Sequence, residues 1–290
     1  MKQSLFIISF LFFFAISKTE GQVSYQKMEP VNFSDVKIGH KEKVLYEELT
    51  PKEFSTRLAE CPVAYLPLGT MEWHGDHLPL GSDGLQSLEL FKRLATRAGG
   101  IVLPMIFLGP DFYDSTYNSP SNAQKFYGMD YAKSLPSGRH DPQQLIGSAY
   151  WVPDSTFIRI LDAIMYQMSR AGFKIVIAHG HTPSLWKITG QAEGWMKRYN
   201  LKVMTCSGDD SGDLCFMCDH AAANETSLMM ALRPDLVHME NLPKDTAVWP
   251  LAISGKDPRI YASSKFGNEI VEFEITKMTS RIQAELQKLK

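Results

Sequence analysis

Cysteine is scarce, and of the four residues three (Cys206, Cys215 and Cys218) fall in one short polar stretch. That excludes a small disulfide-framework fold, and one CxxC spacing without a second pair is not a zinc ribbon. Neither sign of charge is in excess: a formal net charge of −2 gives no electrostatic footprint for nucleic acid and no acidic tail. Beyond residue 21 no apolar run is long enough to cross a bilayer as a helix. The chain also lacks internal repeats and low-complexity tracts, which excludes solenoids and linkers of biased composition. What remains is an ordinary globular composition, 44% hydrophobic. Some 270 residues past the N-terminus suffice for one large α/β domain or two small ones.

Residues 1–21 read as a secretory signal peptide rather than as part of the fold. Lys2 precedes the apolar run Leu5 to Ile16, which Ser17-Lys18-Thr19-Glu20-Gly21 breaks, with cleavage expected after Ser17 or Gly21. The mature protein is therefore expected to be secreted or periplasmic, with no membrane association after cleavage. In such an oxidising compartment the cysteine cluster is expected to form a loop disulfide from Cys206 to Cys215 or Cys218.

Residues 22–44 are polar and irregular, an arm ahead of a domain spanning 45–290. Thr50 and Glu53 form a capping-box pair for a helix to about Glu60. An all-apolar strand at 62–68 follows, then a helix from Asp83 to Arg97 stopped by Gly99-Gly100, and a strand from Ile101 to Phe107. Residues 109–153 break the rhythm. They are rich in Tyr, Ser, Asn, Pro and Gly, and read as a lid or pocket wall, or also as an oligomer contact. Alternation resumes with a helix capped by Asp154 or Ser155, a strand at Phe173–Ala178, helices at 185–199, His220–Leu232 and Lys265–Leu289, and a strand at 201–205. Strand–helix–strand alternation predicts the α/β class: a three-layer α/β/α single domain on a mostly parallel sheet.

Chemistry concentrates in the stretch Glu72-Trp73-His74-Gly75-Asp76-His77-Leu78-Pro79-Leu80-Gly81-Ser82-Asp83. Side chains two apart on an extended chain point the same way, so Glu72 and His74 are placed to face one point. Carboxylate with imidazole suits zinc, manganese or iron. Open α/β sheets gather their sites at strand carboxyl ends, and three polar clusters fall there: Glu72/His74/His77/Asp83, His179/His181 and Asp219/His220/Glu225. Together they would hold one or two divalent metals, which lower the pKa of bound water, while a remaining acid or imidazole moves a proton.

These motifs resemble the creatininase (creatinine amidohydrolase) family. The stretch 72–83 is similar to its E-x-H-G-x-H-L-P-x-x-[ST]-D pattern, His179-Gly180-His181 to its N-G-H turn, and His220-Ala221-Ala222-Ala223-Asn224-Glu225-Thr226-Ser227 to its H-A-G-x-x-E-T-S segment. Gly255-Lys256-Asp257-Pro258-Arg259 resembles a further family turn. The resemblance implies a two-metal amidohydrolase acting on a small-molecule amide and assembled as a homo-oligomer, often a hexamer. It assigns Glu72, His74, Asp83, His181 and Glu225 as metal ligands, with Asp83 bridging. It gives His220 the role of catalytic acid/base or oxyanion stabiliser, with Asp219 beside it; it gives His77 no ligand role, and that residue reads as support for the ligands.

Departures are also visible. Creatinine-opening members carry Glu two residues after the turn histidine, where Pro183 stands; His179 replaces Asn, and Ala222-Ala223 replace Gly and Glu. They turn the reading towards the reaction type, hydrolysis of a cyclic or linear amide C–N bond, rather than towards creatinine. The alternatives are a non-catalytic metal- or ligand-binding member of the same fold and a metallopeptidase for short peptides.

Overall fold

The structure is a computed structural model describing residues 43–110, 150, 152–206 and 212–289. The segments read as a signal peptide and, nearly in full, as an N-terminal arm lie outside the described residues, as do residues 111–149 of the expected lid. Among the described residues four parallel strands form the sheet: β1 (Val63–Leu68), β2 (Ile101–Val102), β3 (Ile175–Gly180) and β4 (Lys202–Thr205), in the order β2-β1-β3-β4. The helices are α1 (Pro51–Glu60), α2 (Ser82–Ala98), α3 (Asp154–Ala171), α4 (Thr182–Tyr199), α5 (Ala223–Leu232), the short α6 (Pro258–Tyr261) and α7 (Ser264–Gln287). The chain leaves β1 on one side to make β2 and returns on the other to make β3. The strand order therefore reverses at β1/β3, and a crevice opens at their carboxyl ends.

Both central strands are buried along their whole length, as an all-apolar strand covered on two faces must be. Alternation divides their side chains between two cores. Val63, Tyr65, Ile175 and Ile177 face α2 and α7, with Leu90, Phe91, Leu94, Ile270 and Ile275. Ala64, Leu66, Val176 and Ala178 face α3 and α4, with Phe157, Leu161, Met165, Ile188 and Trp195. Each large apolar side chain so buried contributes about 1.5–3 kcal/mol, and the result is the expected three-layer sandwich.

Several local readings hold. Thr50 accepts from the Glu53 amide while the Glu53 carboxylate accepts from Thr50, a complete capping box. Gly172 ends α3 in the left-handed conformation. Others are corrected. The strand expected over 101–107 pairs only at Ile101–Val102 and touches β1 again through a single bridge at Ile106. The cap expected of Asp154 or Ser155 falls to Pro153, which makes no side-chain cap. The insertion begins and ends at one place, because Gly109 and Tyr150 are hydrogen-bonded and Val152 donates back to Gly109.

The disulfide expectation is overturned. Cys215 pairs with Cys218, while Cys206, at the end of β4, is a free buried thiol, as is Cys61. Cys206 is carried into the core by β4, away from the loop. Iodoacetamide applied to denatured, unreduced protein should therefore label Cys61 and Cys206 alone; label on Cys215 or Cys218 would contradict this pairing.

Candidate metal centre

Three separate segments meet in the crevice. The loop after β1 brings Glu72 and His74, the first turn of α2 brings Asp83, and the residue after β3 brings His181. The loop before α5 and its first turn bring His220 and Glu225. Gly180, between the two turn histidines, has φ +141°, and a β-carbon there would fall 1.7 Å from the Leu68 carbonyl oxygen. Only glycine lets β3 lie this close to the end of β1 and deliver His181 to Asp83.

Asp83 occupies the middle. Its Oδ1 lies 2.8 Å from His74 Nε2 and its Oδ2 lies 2.8 Å from His181 Nδ1. Glu72 Oε2 is 3.2 Å from His181 Nδ1, and Glu225 Oε2 is 3.5 Å from His74 Nε2. Among the described residues two candidate donor sets share the Asp83 carboxylate: Glu72, Asp83 and His181 on one side, and His74, Asp83 and Glu225 on the other. Within each set the ligand atoms lie within 4.8 Å of one another. A third set, Glu72, His74 and His220, overlaps both.

Hydrogen bonding shows why a cation fits here. His74 Nδ1 is 3.2 Å from the Glu72 carbonyl and donates to it, which turns the other ring nitrogen, a lone pair in the neutral ring, towards Asp83 and Glu225. His220 Nε2 donates to the Trp73 carbonyl at 2.8 Å, leaving Nδ1 facing Glu72 Oε1 at 3.3 Å. Acceptor facing acceptor in a buried place calls for a positive charge between them. A backbone carbonyl fixing the far nitrogen is the usual support of a metal-ligating histidine. Glu72, Asp83 and Glu225 are all almost fully buried, so compensating their charge matters.

The titration behaviour follows the same logic. Burial alone would lower the His74 pKa, but the charge and hydrogen bond of Asp83 outweigh it and raise the pKa, the same pull towards positive charge beside Asp83. Burial alone would raise the Asp83 pKa; His74 and His181 instead hold it far below the usual carboxylate range. Burial, then the charges of Asp83 and Asp219, push Glu225 well up. Burial, then the neighbouring His74, hold His220 down at about 3.

The remaining candidates lie outside the donor sets. Asp219 accepts from the amides of Asn224 and Glu225, at 2.7 and 3.1 Å, and so caps α5. His77 reaches Thr226 Oγ1 at 2.8 Å, and burial lowers its pKa to about 4. His179 reaches Ser87 Oγ at 2.9 Å and packs edge-on against Phe216. Sequence reasoning missed the supports: the Trp73 carbonyl, Ser87, Thr226, and the Ala221 amide, which donates to Glu225 Oε2 at 2.8 Å. Trp73, Ala221 and Thr226 stand inside the quoted motifs, but the pattern does not show their roles, because each support acts through a backbone group or a single hydroxyl.

A family profile described as creatinine amidohydrolase matches residues 47–269. The chain belongs to the creatininase family. A creatinine amidohydrolase of Pseudomonas putida is 29% identical over 218 residues, covering 69% of this chain and 75% of its own. Among solved structures, a mutant creatininase of Zn–Zn type superposes with a TM-score of 0.64 at 23% identity, covering 84% of this chain and 99% of its own. A manganese creatininase gives 0.63 at 23% identity, with the same coverage. Creatininases thus share this fold, and membership supports hydrolysis of C–N bonds.

Two predictions follow from the shared carboxylate and the raised His74 pKa. Asp83→Ala should remove metal retention altogether, measured by elemental analysis beside wild type. Because a metal must displace the proton on His74, affinity should fall as pH drops, beginning above the ordinary histidine value of 6.5. Chelator competition at pH 8 and pH 5.5 reads this; equal affinity at both would contradict it.

Proposed function

We propose that this chain is an exported, divalent-metal-dependent amidohydrolase that cleaves the C–N bond of a small cyclic or linear amide. The observation that carries the reading is the buried Asp83 carboxylate set between two donor sets, one oxygen towards each. Glu72, Asp83 and His181 would hold one ion, and His74, Asp83 and Glu225 the other, with zinc, manganese or iron suited to the donors. Such a pair supplies a nucleophile near neutral pH and Lewis-acid polarisation of the scissile carbonyl.

The protein's own groups then have separable tasks. His220 has a side-chain exposure of 15%, against 4% or less for Glu72, His74, Asp83, His181 and Glu225, so it is the group that meets substrate. Its Nε2 is held by the Trp73 carbonyl and its Nδ1 lone pair faces Glu72 Oε1, so a proton taken there from the attacking water supplies the positive charge that this pair calls for. Passing that proton to the departing nitrogen completes the balance: amide plus water gives carboxylic acid and amine. Glu225, on α5, takes the ligand place that creatinine-opening members fill near position 183. Buried Pro183 lies in the first turn of α4 here and has no ligand atom. A homo-oligomer of the kind common in the family completes the proposal.

The test is a panel of cyclic and linear amides, with creatinine as first probe, assayed on metal-loaded protein. At least one should be hydrolysed, and His220→Ala should lower kcat by about 10²–10⁴-fold with metal content unchanged. Metal-loaded wild type that hydrolyses nothing, or an unaffected H220A variant, would overturn the reading.

A further inference from the structure

His77 stands in the same motif as the ligands but outside the donor sets, and a chain of contacts leads from it to Glu225. Its Nε2 lies 2.8 Å from Thr226 Oγ1, and Thr226 Oγ1 lies 3.2 Å from the Ala221 carbonyl oxygen. A hydroxyl has one proton. Thr226 donates it to Ala221, so it accepts from His77, whose Nε2 must carry hydrogen.

Ala221 is the unusual member. Its φ is +52°, the left-handed region that a residue with a β-carbon seldom enters, at a cost of about 1–3 kcal/mol. That conformation turns its amide onto Glu225 Oε2 at 2.8 Å. Thr226 holds the carbonyl on the other side of the same residue, so the strained turn is pinned from both ends. Residues Ala221, Glu225, Thr226 and His77 are all buried, so water does not compete for these bonds.

Gly75 completes the arrangement. Its φ is +65°, and a β-carbon on it would lie 2.6 Å from His77 Nδ1. Nδ1 has no hydrogen-bond partner among the described residues, so the ring is anchored at Thr226 alone and needs the open space beside it. The spacing His74-Gly75-Asp76-His77 thus has a physical reason: the first histidine faces the donor sets, and the second braces the opposite wall through α5.

We infer that His77 and Thr226 are positioning residues that fix the Ala221 peptide and, through its amide, the Glu225 carboxylate, so that they set the affinity of one metal position and not the other. This rests on the two-metal reading above. It distinguishes the two positions, because Glu225 belongs to the set with His74 and Asp83, whereas Glu72 and His181 are reached from β1 and β3 without it.

The experiment is titration of metal-stripped full-length protein with Zn²⁺, followed by calorimetry against a competing chelator, on wild type, Thr226→Val and Thr226→Ser. Valine keeps the shape of threonine and removes both hydrogen bonds; serine keeps them. Wild type should take up about two ions per chain. T226V should bind one as wild type does and the other about 10–100-fold more weakly, and T226S should restore it. T226V with wild-type affinity at both steps, T226V weakened equally at both, or T226S as weak as T226V would overturn the inference alone. A wild type that takes up no ion would overturn the metal reading and this inference together. Should T226V fail to fold, His77→Leu and His77→Gln replace the pair, since a glutamine amide can still donate to Thr226. The leucine variant should then lose affinity at one step and the glutamine variant keep most of it; equal affinities in the two would overturn the inference.

Discussion

Asp83 is 3% exposed and holds two imidazoles from segments about a hundred residues apart, one on each oxygen. Everything around it serves to make that carboxylate reachable from two sides. The first turn of α2 carries it into the mouth of the crevice, β3 lies against β1 so that His181 arrives, and α5 brings Glu225 to the far side. A carboxylate buried this deeply without positive charge on each oxygen would cost several kcal/mol. The site is therefore tied to the fold through electrostatics: remove the charge on either side and the buried acid is left uncompensated.

The sheet supplies the geometry. Reversal of strand order between β1 and β3 creates the crevice, and the absence of a side chain on Gly180 allows the two strand ends to close on it. The helices on either face contribute apolar cover and almost no chemistry, except at their N-terminal turns. There α2 delivers Asp83 and α5 delivers Glu225. Support for these side chains comes from backbone groups: the carbonyls of Glu72 and Trp73 set the histidine ring orientations, and the Ala221 amide sets Glu225. Rigid elements place the ligands, and main-chain hydrogen bonds aim them.

Much of this was legible in the sequence, for identifiable reasons. Alternating apolar strands and 3.6-residue patterns follow from burial, so the three layers, the capping box at Thr50 and Glu53, and the stop at Gly172 could all be read. The clusters ending in Asp83, His181 and Glu225 could be read because strand ends collect sites. Pairing of the cysteines was not legible: spacing says which thiols are near in sequence, while β4 decides that Cys206 is drawn into the core. The extent of β2 was not legible either, since an apolar run at a sheet edge needs a neighbour to become a strand. Thr226 and Ala221 were visible as motif positions, but not their roles, which depend on one backbone angle for which alanine gives no sign.

The claim that Asp83 bridges two metal ions is tested most directly by anomalous diffraction from crystals of the zinc-loaded protein, measured on either side of the zinc edge. Two peaks about 3.5–4 Å apart should flank the Asp83 carboxylate, one among Glu72, Asp83 and His181 and the other among His74, Asp83 and Glu225. A single peak, or none with His74 and His181 still bonded directly to Asp83, would contradict the account.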